Sequence, residues 1–234
     1  DVAKGNADIV ISSNHFDSIV CAVKESRGLF DNIKKSVHYL LSCNFAELIT
    51  ILFGMIIFSD VPLAAVQLLW INLLTDCAPA VSLSMERAED SVMKRKPYTT
   101  LGKIFDLGAV ASIAIQSIFI AVMTLIAYSI GAKSDTATAM TMAFAVLGMS
   151  QIFHCYNSKL EASVINRQLF SNGILNFSAV LTLLIIIFLV LTPAGYVFGM
   201  TNLKLNQFAL TLLFSFLIVP LCEIIKLIKR IVLK

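Results

Sequence analysis

The sequence predicts an all-α polytopic membrane protein, six transmembrane helices preceded by the end of a cytoplasmic α/β domain. Three observations carry that prediction. Hydrophobic residues make up 58% of the chain and charged residues 14%, against about 45–50% and about 25% in soluble domains. Residues 107–130, 136–158 and 168–203 form uncharged runs of 24, 23 and 36 residues, and runs of about 18 or more read as membrane spans. Lys and Arg are also distributed unevenly. Of the 18, only Lys133 and Lys204 fall in the connections after the first, third and fifth spans.

This composition excludes soluble enzymes and secreted disulfide scaffolds, because so much apolar surface cannot be hidden inside a small soluble fold. The net charge of +3 gives no sign of a nucleic-acid partner. Cys21, Cys43, Cys77, Cys155 and Cys222 lack metal-ligand spacing and read as small buried hydrophobes. A β-barrel would need alternating segments of about ten residues, and none is visible.

In chain order, 7–11 is a short strand candidate. Phe16, Ile19, Val20 and Val23 then recur at helical spacing, with Ser13 or Asn14 as the cap. A lone strand and helix cannot build a core, so residues 1–35 read as the end of a larger cytoplasmic domain and a stalk. Residues 36–225 form the six-span membrane domain and 226–234 a basic cytoplasmic tail. The spans are 36–58, 61–85, 107–130, 138–156, 172–191 and 205–222. Pro193, Gly195 and Gly199 end the fifth. Each is long enough to cross about 30 Å of hydrocarbon. Six spans put both ends on one side, and the positive-inside rule makes that side the cytoplasm. The chain is expected in a cell membrane, with the bilayer as its first partner.

The informative residues are polar ones in the wrong solvent. Glu47 is 11 residues, about 16 Å along a helix, from either end of the first span. Asp76 lies just past the middle of the second. A carboxylate there must face the bundle interior and be paired, protonated or bound to an ion. Asn44 precedes Glu47 by three residues; Asn72, Thr75 and Asp76 stand at i, i+3 and i+4. Each set shares one helix face. The result is an all-oxygen set with no sulfur or imidazole on those faces, suited to a hard cation such as calcium. No Lys or Arg lies at that depth. Pro79 adds a helix break: it lacks an N–H, so the carbonyl of Thr75 needs another partner. Gln151 in the fourth span either adds an amide oxygen to the same chamber, lies on a proton path, or hydrogen-bonds between helices. Gln116 reads as helix-to-helix glue, and His154 and Asn157 as interfacial hydrogen-bonding groups. Pro220 frees the carbonyl of Phe216, and Glu223 is placed to pair with Lys226 or Lys229.

The run Asn44-Phe-Ala-Glu47, with Leu69-Trp-Ile-Asn72-Leu-Leu-Thr75-Asp76-Cys-Ala-Pro79-Ala, resembles the fifth and sixth transmembrane helices of the P-type cation-transporting ATPases, the calcium pumps above all. Residues 2–10 resemble the end of their phosphorylation domain, 16–34 the helix and stalk that follow, and 88–97 the loop after the sixth helix. By that resemblance the six spans match helices five to ten. Asn44, Glu47, Asn72, Thr75 and Asp76 would coordinate the transported Ca2+. Carbonyls and a glutamate from a fourth helix, outside this chain, would complete the cage. Gln151 stands where the two-calcium pumps carry a glutamate, which favours one calcium per ATP; one-site relatives lack the carboxylate matching Glu47, which opposes it.

The resemblance further implies an aspartyl-phosphate cycle with proton countertransport. ATP and Mg2+ would be handled by domains absent from these residues, so the chain itself holds no ATP-hydrolysing group. Its partners would be the rest of one polypeptide: four preceding membrane helices and the actuator, nucleotide-binding and phosphorylation domains of a monomeric pump. The loop after Pro79 is also similar to the sodium/potassium branch, where an aspartate replaces Asn72. Pumps for Mn2+, Na+ or K+, and a secondary transporter, remain the alternatives. An exchanger would tend to show an inverted repeat of its acidic motif, and no second copy is present.

Overall fold

A computed structural model describes residues 5–8, 10, 15–87, 90–94, 105, 107–159 and 169–232. Six of its helical units are long and apolar enough to cross a membrane, as the sequence predicts. Helix α1 spans Phe16–Phe58 and the second span runs from α2, Ala65–Trp70, through a π-helical stretch, Ile71–Asp76, into α3, Cys77–Ser84. Then come α4, Leu107–Gly131; α5, Thr136–Lys159; and α6, Gly173–Leu191. The sixth span is α7, Leu205–Phe216, followed by α8, Ile218–Val232. Short 3-10 turns cover Asp90–Lys94 and Pro193–Phe198.

Three elements differ from the sequence reading. No strand occurs among the described residues: Ala7, Asp8 and Val10 are irregular, while positions 9 and 11 lie outside them, so the α/β remnant has no structural support here. The expected caps at 13 and 14 also lie outside; His15 holds the cap position without a side-chain bond. The stalk and first span, expected as separate units, are one 43-residue helix, about 65 Å long at the helical rise. It therefore extends well past a hydrocarbon layer of about 30 Å. The sixth span breaks at Leu217, one residue after the carbonyl that Pro220 cannot bond, and then continues helical through the basic tail to Val232.

The bundle is organised around α5. Buried residues make up 78% of its most apolar window, against 28–44% in the other spans. Small side chains make this possible: Ala139, Ala143, Ala145, Gly148 and Ser150 let neighbours approach closely. At Gly131 an added Cβ would fall 2.6 Å from Ala139 Cα, so the α4–α5 hairpin requires glycine there. Packing is continuous from Ala46 and Ile71 through the buried face of α5 to Ile186 and Ile218.

Asp135 starts α5. Its carboxylate accepts the Thr138 N–H at 2.7 Å and the Thr138 hydroxyl at 2.8 Å, and these bonds hold the exposed carboxyl below its ordinary pKa. A depressed folded-state pKa stabilises at neutral pH, and that contribution fades as pH falls through the usual carboxylate range and below. Asp135→Ala is expected to cost about 1 kcal/mol at pH 7 and progressively less towards pH 3. Thermal unfolding in detergent at both pH values checks this; an equal loss at both would remove the cap from the account.

Candidate ion-binding site

Pro79 sits in α3, and the chain immediately before it is wound as a π-helix. Proline denies the Thr75 carbonyl its usual partner, and a local π turn is a common response at functional sites. The freed oxygen is claimed by α1: the Tyr39 hydroxyl donates to Thr75 O at 3.1 Å. Tyr39 also stands 3.5 Å from Asp76 Oδ1. The helix break thus fixes Asp76 against α1 rather than releasing it.

Glu47 and Asp76 are 5% and 1% exposed and lie within electrostatic range of each other. The Asn72 amide donates to Glu47 Oε2 at 2.8 Å and the Gln151 amide donates to Glu47 Oε1 at 3.1 Å. One carboxylate therefore ties together α1, the π stretch and α5. The second N–H of Asn72 is directed to Leu68 O at 3.0 Å, so its nitrogen is fixed and its carbonyl oxygen turns elsewhere. Thr75 is buried and faces α5 near Gly148, where an added Cβ would fall 2.9 Å from Ile186 Cδ1, so glycine there lets α6 pack closely on α5.

Among the described residues the buried side-chain atoms without a hydrogen-bond partner are Asp76 Oδ2, Gln151 Oε1 and both the Oδ1 and Nδ2 of Asn157. Orphaned buried acceptors are costly, and the first two flank Glu47, Gln151 by its own bond and Asp76 by electrostatic contact. Among the described residues no three His, Cys, Asp or Glu side chains form a metal-binding group; the available donors are two carboxylates with amide and hydroxyl oxygens.

Of the five expected ligands, Glu47 and Asn72 are bonded and Asp76 lies within electrostatic range of Glu47, while Thr75 is buried next to Asp76 with its carbonyl held by Tyr39. Asn44 does not join them. Its side chain is exposed and donates to Leu40 O at 2.9 Å, one turn back on its own helix. Gln151, given several roles by the sequence, bonds Glu47 across helices while its oxygen stays unpaired.

The expectation of no sulfur or imidazole nearby needs correction for sulfur. The Cys43 thiol lies against Asp76, and Cys155 packs in the same small cluster with Tyr39. Spacing alone puts Cys43, four residues before Glu47, on the same face, but it reads as a small buried hydrophobe, and Cys155 arrives from another span. His154 and Asn157 are buried in the bundle. His154 Nε2 lies 2.9 Å from the Ser42 hydroxyl. Gln116 reaches Cys222 Sγ at 3.5 Å as helix-to-helix glue, and Glu223 pairs with Lys226 at 3.5 Å.

Comparison with known proteins agrees with this architecture. Residues 60–228 match the family model described as cation transporting ATPase, C-terminus. A calcium-transporting ATPase of Bacillus cereus is 36% identical over 250 residues, covering 98% of this chain and 28% of that protein. Its counterpart in Bacillus subtilis is 35% identical over 194 residues, covering 80% and 22%. The sodium/potassium-transporting ATPase alpha subunit of Tetronarce californica is 45% identical over 97 residues, covering 42% of the chain and 10% of that subunit. The chain spans about a quarter of the length of the first two relatives. On the match over residues 60–228 and these relatives, the chain belongs to the cation-transporting P-type ATPases, as part of their membrane region.

Proposed function

We propose that these residues form the ion-binding membrane part of an ATP-driven calcium pump, which exports Ca2+ from the cytoplasm through an aspartyl-phosphate cycle with proton countertransport. The observation that carries the reading is a pair of buried carboxylates, Glu47 and Asp76, within two apolar spans, 36–58 and 61–85, whose sequence holds no Lys or Arg, with Asp76 Oδ2 and Gln151 Oε1 unpartnered among the described residues. Oxygen donors of this kind suit a hard divalent cation. Asp76, Glu47, Asn72 and Thr75 are the proposed ligands from this chain, with Asn44 available from the exposed face of α1 towards the preceding helices of the same polypeptide. ATP and Mg2+ are handled by the cytoplasmic domains of the complete pump. With both ends of this region cytoplasmic, the long α1 reaches from the phosphorylation domain to Glu47 in one rigid piece. A shift at its outer end therefore reaches the chamber directly, and unequal ion affinity in two positions couples chemistry to transport.

A second reading, a pump for another cation, is favoured by one observation: the 45% identity to a sodium/potassium pump over 97 residues. The two readings part on ion dependence. The complete protein in membrane vesicles, given MgATP, is expected to form phosphoenzyme with micromolar Ca2+. Activation by Na+, K+ or Mn2+ alone, with Ca2+ inert, would replace the calcium reading by the second one.

A further inference from the structure

Lys159, the last residue of α5, is only 2% exposed. Its ammonium donates to Ser171 Oγ at 2.8 Å and Leu169 O at 3.1 Å, and stands 3.6 Å from Glu86 Oε2. Glu86 follows α3 and gathers further donors. The Asn172 amide reaches Oε2 at 2.9 Å and the Ser171 hydroxyl reaches Oε1 at 3.4 Å. Asn172 also donates to Ser82 O at 2.9 Å, while its own oxygen caps α6 at Leu175 N, 3.0 Å. The backbone carbonyl of Glu86 accepts from Asn32 on α1. One acidic residue thus joins the cytoplasmic ends of the second span, α5 and α6 to the outer part of α1.

Other α1 side chains hold the second span and the turn that follows it. Arg27 donates to Val92 O at 3.0 Å, Ser36 to Ala80 O at 3.0 Å, and Tyr39 to Thr75 O at 3.1 Å. Helix α5 is bonded to α1 directly, Gln151 to Glu47 at 3.1 Å and His154 to the Ser42 hydroxyl at 2.9 Å, while the Glu86–Lys159 pair ties its end to the residues after the second span. The position of α5 along α1 decides whether Gln151 meets Glu47. Lys159 is eight residues beyond Gln151, about 12 Å along the helix, and α5 is rigid between them.

We propose that Glu86 and Lys159 form a cytoplasmic latch that sets the axial position of α5 against the second span, and so tunes cation affinity in a chamber neither residue touches. Both act as positioning residues. The latch passes displacement of α1, received through Asn32, to α5 and hence to Gln151. A buried charge deprived of its partner is strongly unfavourable, so each single charge loss should loosen the junction.

The inference rests on the calcium reading above. Its test uses the complete pump in membranes, with Ca2+ as the probe. Lys159→Met and Glu86→Gln are each expected to weaken the Ca2+ concentration dependence of phosphorylation by ATP about tenfold. Phosphorylation by inorganic phosphate without Ca2+, which reports an intact pump, should stay within about twofold of wild type. Wild-type affinity in both single variants would overturn the latch. Loss of phosphorylation by inorganic phosphate in the single variants would equally overturn it, by making the pair a folding element. A wild-type pump indifferent to Ca2+ would overturn the calcium reading, and this inference with it, before any variant is compared.

Discussion

Asp76→Asn in the complete pump is expected to abolish Ca2+-dependent phosphorylation by ATP, with apparent affinity falling at least about a hundredfold. The substitution keeps the size of the side chain, and one oxygen can still face the Tyr39 hydroxyl at the 3.5 Å position. What changes is charge and donor balance. The unpartnered Asp76 Oδ2 is replaced either by an N–H group with no acceptor or by a weaker neutral oxygen. Removing one partner of a buried charge interaction costs about 3–5 kcal/mol, and about 1.4 kcal/mol is a factor of ten. Phosphorylation by inorganic phosphate, which needs no cation at Asp76, should persist in the variant and lose its inhibition by Ca2+. Unchanged Ca2+ activation would take Asp76 out of the site and leave the chamber without its deepest charge.

What the sequence made legible follows from how sharply lipid constrains a chain. Six spans could be counted because backbone polar groups must be satisfied within each segment and charges must stay outside. Glu47 and Asp76 stood out for the same reason: a carboxylate at bilayer depth has few affordable explanations. The local consequence of Pro79 was also readable, since a missing N–H names the carbonyl it orphans. Tyr39 as the group that claims that carbonyl was not, because its partner lies 36 residues away.

Distance in sequence also hid Cys43 and Cys155 beside Asp76, and the Glu86–Lys159 pair, whose members are ordinary loop and helix-end charges when read alone. Asn44 shows the limit of face arithmetic in the other direction. Spacing of i and i+3 puts it near Glu47 on a wheel, yet its side chain turns back to Leu40 O and away from the chamber. Periodicity places a Cα on a face; it does not choose a rotamer. The strand expected at 7–11 rested on local apolar character, and such a segment gains its ladder only from neighbours that would come from elsewhere in a larger domain.

Glu47 separates ligand from scaffold. It accepts two buried amide N–H groups, from Asn72 and Gln151, so two substitutions at this position should fail in different ways. Glu47→Gln keeps one oxygen acceptor and loses the charge. It is expected to lower Ca2+ affinity about a hundredfold, while phosphorylation by inorganic phosphate survives. Glu47→Leu loses both acceptors and strands two N–H donors in a dehydrated site, at about 1–3 kcal/mol each. That is enough to lower thermal stability in detergent measurably and to diminish phosphorylation by inorganic phosphate as well. If Glu47→Gln retained wild-type Ca2+ affinity while Glu47→Leu still destabilised the pump, the carboxylate would be scaffold alone. The cation would then be held by Asp76, Thr75 and the amide oxygens that Glu47 orients. If both variants lost affinity but neither lost stability, the hydrogen bonds to Asn72 and Gln151 would be incidental, and charge would be the only contribution of Glu47 to the site.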